Sequence, residues 1–171
     1  MPAIALVRRR LEAQGFRGLD DVALTEIGPW LRWSPALCAV FMATGTILAS
    51  PPVLWALAAV ALLGAVLPAH PFDIFYNHVV RQLTGTRPLP HHGPQRRFAC
   101  GIAAAWLTGT GLAFHQGAAA LGYVLGGTLT IVAAIVGTTH FCIPSLVYNK
   151  LFRPRPRAGA SAGHSSRASL D

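Results

Sequence analysis

The chain has 171 residues, of which 53% are hydrophobic and 12% charged, with a formal net charge of +8. Soluble domains carry about 25% charged residues, so this composition argues against a soluble protein and for one that buries apolar residues in a bilayer. The basic residues are not interleaved with aromatic ones as in nucleic-acid-binding modules, so we expect no nucleic-acid partner.

Residues 1–32 form a basic segment that precedes the first apolar run. The triple Arg8-Arg9-Arg10 is followed by polar and acidic residues, which is not the pattern of a signal peptide. We therefore predict a cytoplasmic N-terminal segment at 1–32, followed by a membrane domain at 33–153.

Two stretches of the membrane domain contain no Asp, Glu, Lys or Arg. The first, 33–72, is divided by Pro51 and Pro52, which suit a reversal of the chain, and the second, 98–149, is divided at 115–117. A helix needs roughly 17 to 25 residues to cross a bilayer, so each stretch holds two spans without a polar stripe. The predicted spans lie at about 34–50, 53–69, 98–114 and 118–140.

The cations predict the orientation of these spans. Five arginines lie in 8–32, four in 70–97 and five Lys or Arg from 150 onward, whereas the two turns hold none. Short loops rich in Lys and Arg stay in the cytoplasm, so both termini and the central segment are expected there. The same charge makes anionic headgroups an expected partner, and 154–171 reads as a disordered cytoplasmic tail.

Short motifs recur in the same order in both halves of the chain. The pairs are Gly28-Pro29 with Gly93-Pro94, Thr44-Gly45-Thr46 with Thr108-Gly109-Thr110, and Tyr76-Asn77 with Tyr148-Asn149. This order predicts an all-α membrane protein whose four transmembrane helices form two tandem hairpin repeats, related by an axis along the membrane normal.

A short amphipathic helix at the membrane interface is predicted after each hairpin. The motif residues are Asp73, Tyr76, Asn77 and Arg81 in the first copy, and Ser145, Tyr148, Asn149 and Arg153 in the second. One interpretation is that both segments anchor the hairpins at headgroup level, with Tyr in the aromatic belt and Arg on the phosphates. The other is a twofold polar site for a partner or an anion.

The three cysteines, Cys38, Cys100 and Cys142, are predicted at one cytoplasmic depth together with His70 and His140. A thiol beside a cation can act as a nucleophile, which makes all three cysteines candidate catalytic residues, although a cysteine in a span is commonly a small packing residue. No cofactor is predicted. Thiolates and imidazoles also suit a transition metal, for which Cys100, Cys142, His70 and His140 are the candidate ligands.

Two further features bear on function. Pro144 cannot donate to the carbonyl of His140, and a carbonyl left free in a membrane must find another partner, which marks this turn as special. No ionisable Asp, Glu, Lys or Arg lies in a predicted span, which disfavours a proton or ion carrier. A small-solute conduit would require the two Thr-Gly-Thr motifs to line a cavity.

Several segments together resemble a bacterial family of small membrane proteins known only as a domain of unknown function. They are His70–Asp73 with Tyr76-Asn77, Arg97–Cys100, and Phe141–Ser145 with Tyr148-Asn149. The resemblance covers about 28–153 and implies a helical bacterial inner-membrane protein in which Cys100 and Cys142 are motif positions. It implies no activity.

The leading hypothesis from the sequence is an inner-membrane subunit, scaffold or accessory factor without enzymatic chemistry, whose working surface faces the cytoplasm. A thiol-dependent redox or sulfur-handling protein using Cys100 and Cys142 is the first alternative, and a small-solute conduit is the second. A second copy of the chain, or another membrane or cytoplasmic protein, is the expected partner besides lipid.

Overall fold

The computed structural model describes residues 2–16 and 18–152, so the predicted tail at 154–171 lies outside the described residues. Every regular element that it describes is a helix. The α-helices are α1 (Pro2–Ala13), α2 (Asp21–Ile27), α3 (Trp33–Ile47), α4 (Pro51–Val66), α5 (Pro71–Phe75), α6 (Arg81–Thr84), α7 (Pro94–His115), α8 (Ala119–Thr139) and α9 (Ile143–Phe152). A 3-10 turn at Trp30–Arg32 precedes α3, and a π-helical turn at Tyr76–Val80 joins α5 to α6.

Local sequence explains where the long helices begin and end. Pro51 and Pro94 occupy the first helical positions of α4 and α7, where the missing N–H costs nothing and the fixed φ suits a helix. Gly117, in the turn between α7 and α8, has a φ of 76°, a conformation that glycine adopts without the penalty other residues incur.

Helices α3, α4, α7 and α8 coincide closely with the four predicted spans. In the described residues, α7 and α8 are long and apolar enough to cross a membrane, and α4 with the helix after it is a third candidate if that pair, bent by 80°, forms one broken span. Helices α3 and α4 have 15 and 16 residues, just below the roughly 17 that a span requires. The all-α fold is confirmed, with two to three candidate membrane helices.

The main helix contacts lie between the two predicted hairpins and not within them. Helix α4 packs mainly on α7, and α3 packs mainly on α8. Gly126 of α8 lies so close to Thr46 of α3 that a Cβ there would overlap the threonine side chain, as is usual where small residues let helices approach. The buried core between these helices consists of Met42, Leu54, Leu57, Ala58, Ala61, Ala104, Leu107 and Leu129.

A second core forms at one end of the four long helices, between α1, α2, the 3-10 turn and the π-helical turn. We call this end, which also carries α5 and α9, the polar end. The buried residues of this core are Leu11, Phe16, Leu24, Ile27, Leu31, Tyr76 and Leu89. The segment at 1–32 is thus folded against the rest of the molecule, with Arg10 and Gln14 donating to the carbonyls of Thr139 and His140 at 2.7 Å each. These contacts place α1 over the ends of α8 and α9.

Candidate functional site

A cavity of about 130 Å³ runs from the polar end toward the middle of the bundle, between the first halves of α3 and α7, the middle of α4 and the second half of α8. Most of its wall is apolar. The chemically active side chains in the wall are Cys38, Cys100, Cys142, His70, Arg96, Gln14 and Ser34. The structure therefore brings all three thiols to one cavity, a convergence that the sequence could not establish because they lie on separate segments.

Cys142 occupies the position just before α9. His140 ends α8 in a left-handed conformation with a φ of 57°, and the chain turns so that the Cys142 carbonyl accepts the N–H of Leu146. The fully buried Ser145 hydroxyl donates to Cys142 Sγ at 3.1 Å. Cys142 thus accepts a buried hydroxyl and lies at the N-terminus of α9, a kind of position in which nucleophilic cysteines occur.

His70 lies near Cys38 and borders the same glycine, Gly64, as Cys100. Its Nε2 is 4.0 Å from Cys38 Sγ, and a Cβ added to Gly64 would lie 3.2 Å from that nitrogen and 3.3 Å from Cys100 Sγ. Gly64 is therefore the residue that lets the imidazole and Cys100 approach each other across α4. Cys100 is also close enough to Cys38 and to Cys142 to interact electrostatically with each of them.

The hydrogen bonding of His70 fixes its tautomer. Its Nδ1 accepts the N–H of Phe72 at 3.3 Å as an N-cap of α5, so the proton of the neutral ring is on Nε2. Burial, assisted by the positive charge of Arg96, lowers the pKa of His70 to about 3. At neutral pH the ring therefore presents an N–H donor toward the thiols and is not a general base at that nitrogen.

Arg96 is the cation of the cavity wall and is 7% exposed. Its guanidinium stacks over the ring of Phe16, 5.4 Å from the centroid. Its Nη2 is 3.5 Å from Oδ2 of the buried Asp73, and the other carboxyl oxygen has no hydrogen-bond partner in the described residues. Burial raises the pKa of Asp73 despite the opposing effect of Arg96. Among the described residues, this one contact at 3.5 Å leaves most of the five guanidinium N–H donors without a carboxylate partner.

His140, the other candidate imidazole, is not among the residues that form the cavity wall. Arg32 Nε donates to its Nε2 at 2.9 Å, and burial followed by the charge of Arg32 lowers its pKa to about 4. Its carbonyl accepts the Gln14 side chain, which supplies the partner that Pro144 does not provide. His140 is thus bonded into the contact between α1 and α8, apart from the thiols.

In residues 2–16 and 18–152, no group of three or more His, Cys, Asp or Glu side chains is arranged to hold a metal ion. Cys100, Cys142 and His70 share the cavity, whereas His140 does not. The transition-metal hypothesis for these four residues stays a prediction.

In the first amphipathic motif, the side chains are bonded within the chain. Asp73 and Tyr76 are buried, and the Tyr76 hydroxyl lies 2.6 Å from the Thr86 hydroxyl. Asn77 makes two bonds to the backbone of Leu89, accepting its N–H at 2.7 Å and donating to its carbonyl at 3.1 Å. Arg81 is half-buried. The motif thus holds the segment that leads from α6 to α7.

In the second motif, Ser145 is buried against Cys142, and Tyr148 is half-buried against Phe98, with ring centroids 5.5 Å apart. Asn149 donates to the carbonyl of Ala13 at 2.7 Å and accepts from Gln95 at 3.1 Å. Arg153 lies outside the described residues. This motif therefore holds the end of α1.

Arg96 and Gln14 are residues of the cavity wall that were not predicted from the sequence. A signal for Arg96 existed, since it precedes Cys100 by four residues and so shares a helix face with it. Gln14 carried no signal, because its place in the wall depends on how α1 docks. The hydroxyls of Thr108 and Thr110 return to carbonyls four residues earlier, which favours packing over a polar pathway there.

Comparison with known proteins places the chain in a family without assigning it an activity. The family model described as "Domain of unknown function (DUF4395)" matches residues 29–153, which include the three cysteines, His70 and Arg96 but neither α1 nor α2. No curated protein and no solved structure matches the chain. The resemblance inferred from the motifs is confirmed, and the chain belongs to the DUF4395 family of domains of unknown function.

Proposed function

We propose that this protein is a bacterial inner-membrane thiol protein in which Cys142 opens a sulfur–sulfur bond and Cys100 is the second thiol of the reaction. One observation carries the proposal, namely that three thiols, a neutral imidazole and a guanidinium border one cavity. A cysteine that only fills space needs none of these polar neighbours.

The proposed chemistry begins with the Cys142 thiolate, which the Ser145 hydroxyl stabilises. The thiolate attacks one sulfur of a small disulfide, the sulfur–sulfur bond breaks, and its electron pair leaves with the departing thiolate. Cys100 then attacks Cys142 Sγ and releases the second half of the substrate. The protein thiols are oxidised to a disulfide, and the substrate is reduced to two thiols.

His70 and Cys38 have supporting roles in this proposal. The Nε2–H of His70 is 4.0 Å from Cys38 Sγ, and His70 and Cys100 both border Gly64. We propose that this N–H donates to the Cys100 thiolate when it forms. Because its lowered pKa keeps the ring neutral, this donation persists over the physiological pH range. Cys38 is then a packing residue of the wall and is dispensable for the disulfide step.

For the membrane arrangement, we propose that α3, α4, α7 and α8 all cross the inner membrane, with both termini and the polar end in the cytoplasm. Support comes from the distribution of cations, which avoids both turns at the opposite end. Arg97 also donates to the carbonyls of Ala65 and Val66 at 2.8 and 2.7 Å. These bonds satisfy carbonyl groups at the C-terminal end of α4, where a positive charge is also favourable.

The test is reaction of the purified full-length protein with methyl methanethiosulfonate, a small neutral reagent, followed by mass spectrometry. We expect a methylthio adduct on Cys142 first and its conversion to a Cys100–Cys142 disulfide. In Cys100→Ser the adduct should persist, whereas the matched variant Cys38→Ser should still form the disulfide. If all three thiols react more slowly than in the unfolded chain and no disulfide forms, the scaffold hypothesis becomes the better one.

The same reagent class tests the orientation. A membrane-impermeant methanethiosulfonate should modify Cys142 in inverted membrane vesicles and leave it unmodified in intact spheroplasts. Modification in spheroplasts alone would place the polar end outside the cytoplasm and contradict the arrangement.

A further inference from the structure

The guanidinium of Arg96 makes few contacts in the described residues, namely one ion-pair contact with Asp73 and one contact with the ring of Phe16. Of the six Asp and Glu residues of the chain, the one in ion-pair contact with Arg96 in the described residues is Asp73, at 3.5 Å. Asp21 and Glu26 pair instead with Arg8 and with Arg87 at the surface of the polar end. A buried guanidinium has five N–H donors and is costly unless acceptors surround it. Arg96 therefore has capacity for a further acceptor on its cavity side.

No other wall residue supplies negative charge to Arg96. The cavity wall contributes Gln14 and Ser34, which are neutral, and His70, which the lowered pKa keeps neutral. The thiols are neutral until they ionise, and a guanidinium is always charged. The electrostatics of the cavity thus favour an anion over a neutral or cationic ligand.

The size of the cavity limits the ligand. An engineered cavity of about 150 Å³ holds one benzene molecule, so about 130 Å³ holds roughly six non-hydrogen atoms. Peptide thiols, quinones and nucleotides are far larger. The cavity is partly open, so a larger molecule could enter it only in part, and the group that reaches Arg96 and the thiols together is a small anion.

We infer that this cavity binds a small anion bearing a sulfane sulfur, of which thiosulfate is the simplest, with Arg96 as the anion-binding residue and Cys142 as the sulfur acceptor. The inference rests on the proposed function, since it names the substrate class of the same thiol site. Arg96 is a binding residue because its guanidinium contacts the sulfonate oxygens, for which its planar fork is suited.

The reaction balances without a further oxidant or reductant. The Cys142 thiolate forms a bond to the outer sulfur of thiosulfate, and the bond between the two thiosulfate sulfurs breaks. The electron pair of that bond leaves on sulfite, and Cys142 keeps a persulfide. Total charge is unchanged, and the proton that the thiol lost on ionising goes to solvent. Arg96 favours the step by holding the oxygens on which the leaving charge develops.

The experiment uses full-length protein in detergent and compares thiosulfate with the neutral reagent methyl methanethiosulfonate. Thiosulfate should add one sulfur to Cys142 and release sulfite. Arg96→Gln should lower the second-order rate with thiosulfate by roughly tenfold to a hundredfold, the effect of losing charge-assisted hydrogen bonds. The rate with the neutral reagent should fall by a smaller factor than the rate with thiosulfate, because only thiosulfate carries the anionic oxygens that Arg96 binds. Unfolding of the variant by SDS shows separately that it is folded. The matched control Arg97→Gln, which removes a neighbouring charge outside the cavity wall, should leave both rates unchanged.

A second measurement does not depend on sulfur transfer. Sulfate has the charge and shape of thiosulfate but no sulfur–sulfur bond, so it should slow the reaction of Cys142 with the neutral reagent in the wild type and have no effect in Arg96→Gln. If the neutral reagent modifies Cys142 but sulfate gives no protection and thiosulfate does not react, the anion inference is overturned while the proposed thiol function stands. If Cys142 reacts with neither reagent, the proposed function fails first.

Discussion

The region from α4 to α6 and the region from α8 to α9 carry similar residues in the same order but use them differently. The corresponding pairs are His70 with His140, Tyr76 with Tyr148, and Asn77 with Asn149. In the first region the histidine lies against thiols and the tyrosine is fully buried. In the second the histidine accepts from Arg32, and the tyrosine is half-buried.

The N-terminal helices account for much of this difference. Tyr76 shares a buried core with Leu11 of α1 and Leu24 of α2. Trp30 and Trp33, at the junction with α3, also pack on it, with ring centroids 5.1 and 6.3 Å from its own. In the other region, α1 supplies the Ala13 carbonyl that Asn149 binds. The similar motifs therefore lie in different environments, because the N-terminal segment packs on both of them in different ways. The repeat itself stays a prediction, and paired substitutions test how far the two regions have diverged.

The largest expected difference is in stability, between Tyr76→Ala and Tyr148→Ala. Tyr76 is 0% exposed and its hydroxyl bonds to Thr86, so truncation should cost about 3–5 kcal/mol, as for other buried aromatic residues. Tyr148 is half-buried, and its truncation should cost about 1 kcal/mol. Unfolding of the detergent-solubilised variants by SDS measures both values. Equal losses would mean that the N-terminal helices do not cover Tyr76 as described.

The sequence was sufficient for the parts of the fold that follow from local rules. Charge-free stretches interrupted by Pro51 and by Gly117 defined four helices within a few residues of their observed bounds, because apolar length and helix-breaking residues are local properties. The docking of 1–32 was not predictable in this way. It depends on contacts between residues more than a hundred positions apart, such as Arg10 with Thr139.

The candidate site was predictable in part for the same reason. The common depth of Cys38, Cys100 and Cys142 followed from where each lies along its helix, and the free carbonyl of His140 followed from Pro144. Which side chains meet around the cavity depends on helix rotation, which sequence spacing on separate helices does not specify. Arg96 was consequently counted only as one of the loop cations.

A smaller difference is expected between Asn149→Ala and Asn77→Ala. Asn149 holds the end of α1 beside Gln14, a residue of the cavity wall, whereas Asn77 holds the segment around Leu89. Losing a buried hydrogen bond costs about 1–3 kcal/mol. In Asn149→Ala this should loosen α1 and raise the rate of Cys142 modification by the neutral reagent roughly threefold to tenfold, since the cavity opens more often.

Asn77→Ala is the matched control for that experiment, because it removes the same side chain and a similar number of bonds. Its effect on the Cys142 rate should stay below about twofold. If both variants raise the rate equally, the gain reflects general loosening, and α1 is not the cover of the cavity.

The smallest expected difference lies in the pH dependence of stability. His140→Gln and His70→Gln should each reduce the loss of stability at low pH, over different pH ranges. Both histidines have a pKa below the ordinary value of 6.5, at about 4 for His140 and about 3 for His70, mainly because of burial. The unfolded chain therefore binds more protons below pH 6.5, and each histidine makes the protein less stable as the pH falls.

Above pH 6.5 each histidine is neutral in both the folded and the unfolded chain, so it does not lower the stability. The free energy of unfolding then falls as the pH decreases from 6.5 to the pKa of that histidine in the folded chain. His140→Gln should therefore flatten the decline between pH 6.5 and 4, whereas the decline removed by His70→Gln should extend to about pH 3. Melting temperatures of the two variants and the wild type, measured from pH 7 to pH 3, follow both declines. If neither variant flattens the decline below pH 6.5, the two imidazoles take up protons as readily in the folded chain as in the unfolded one, and the described burial of both would be wrong.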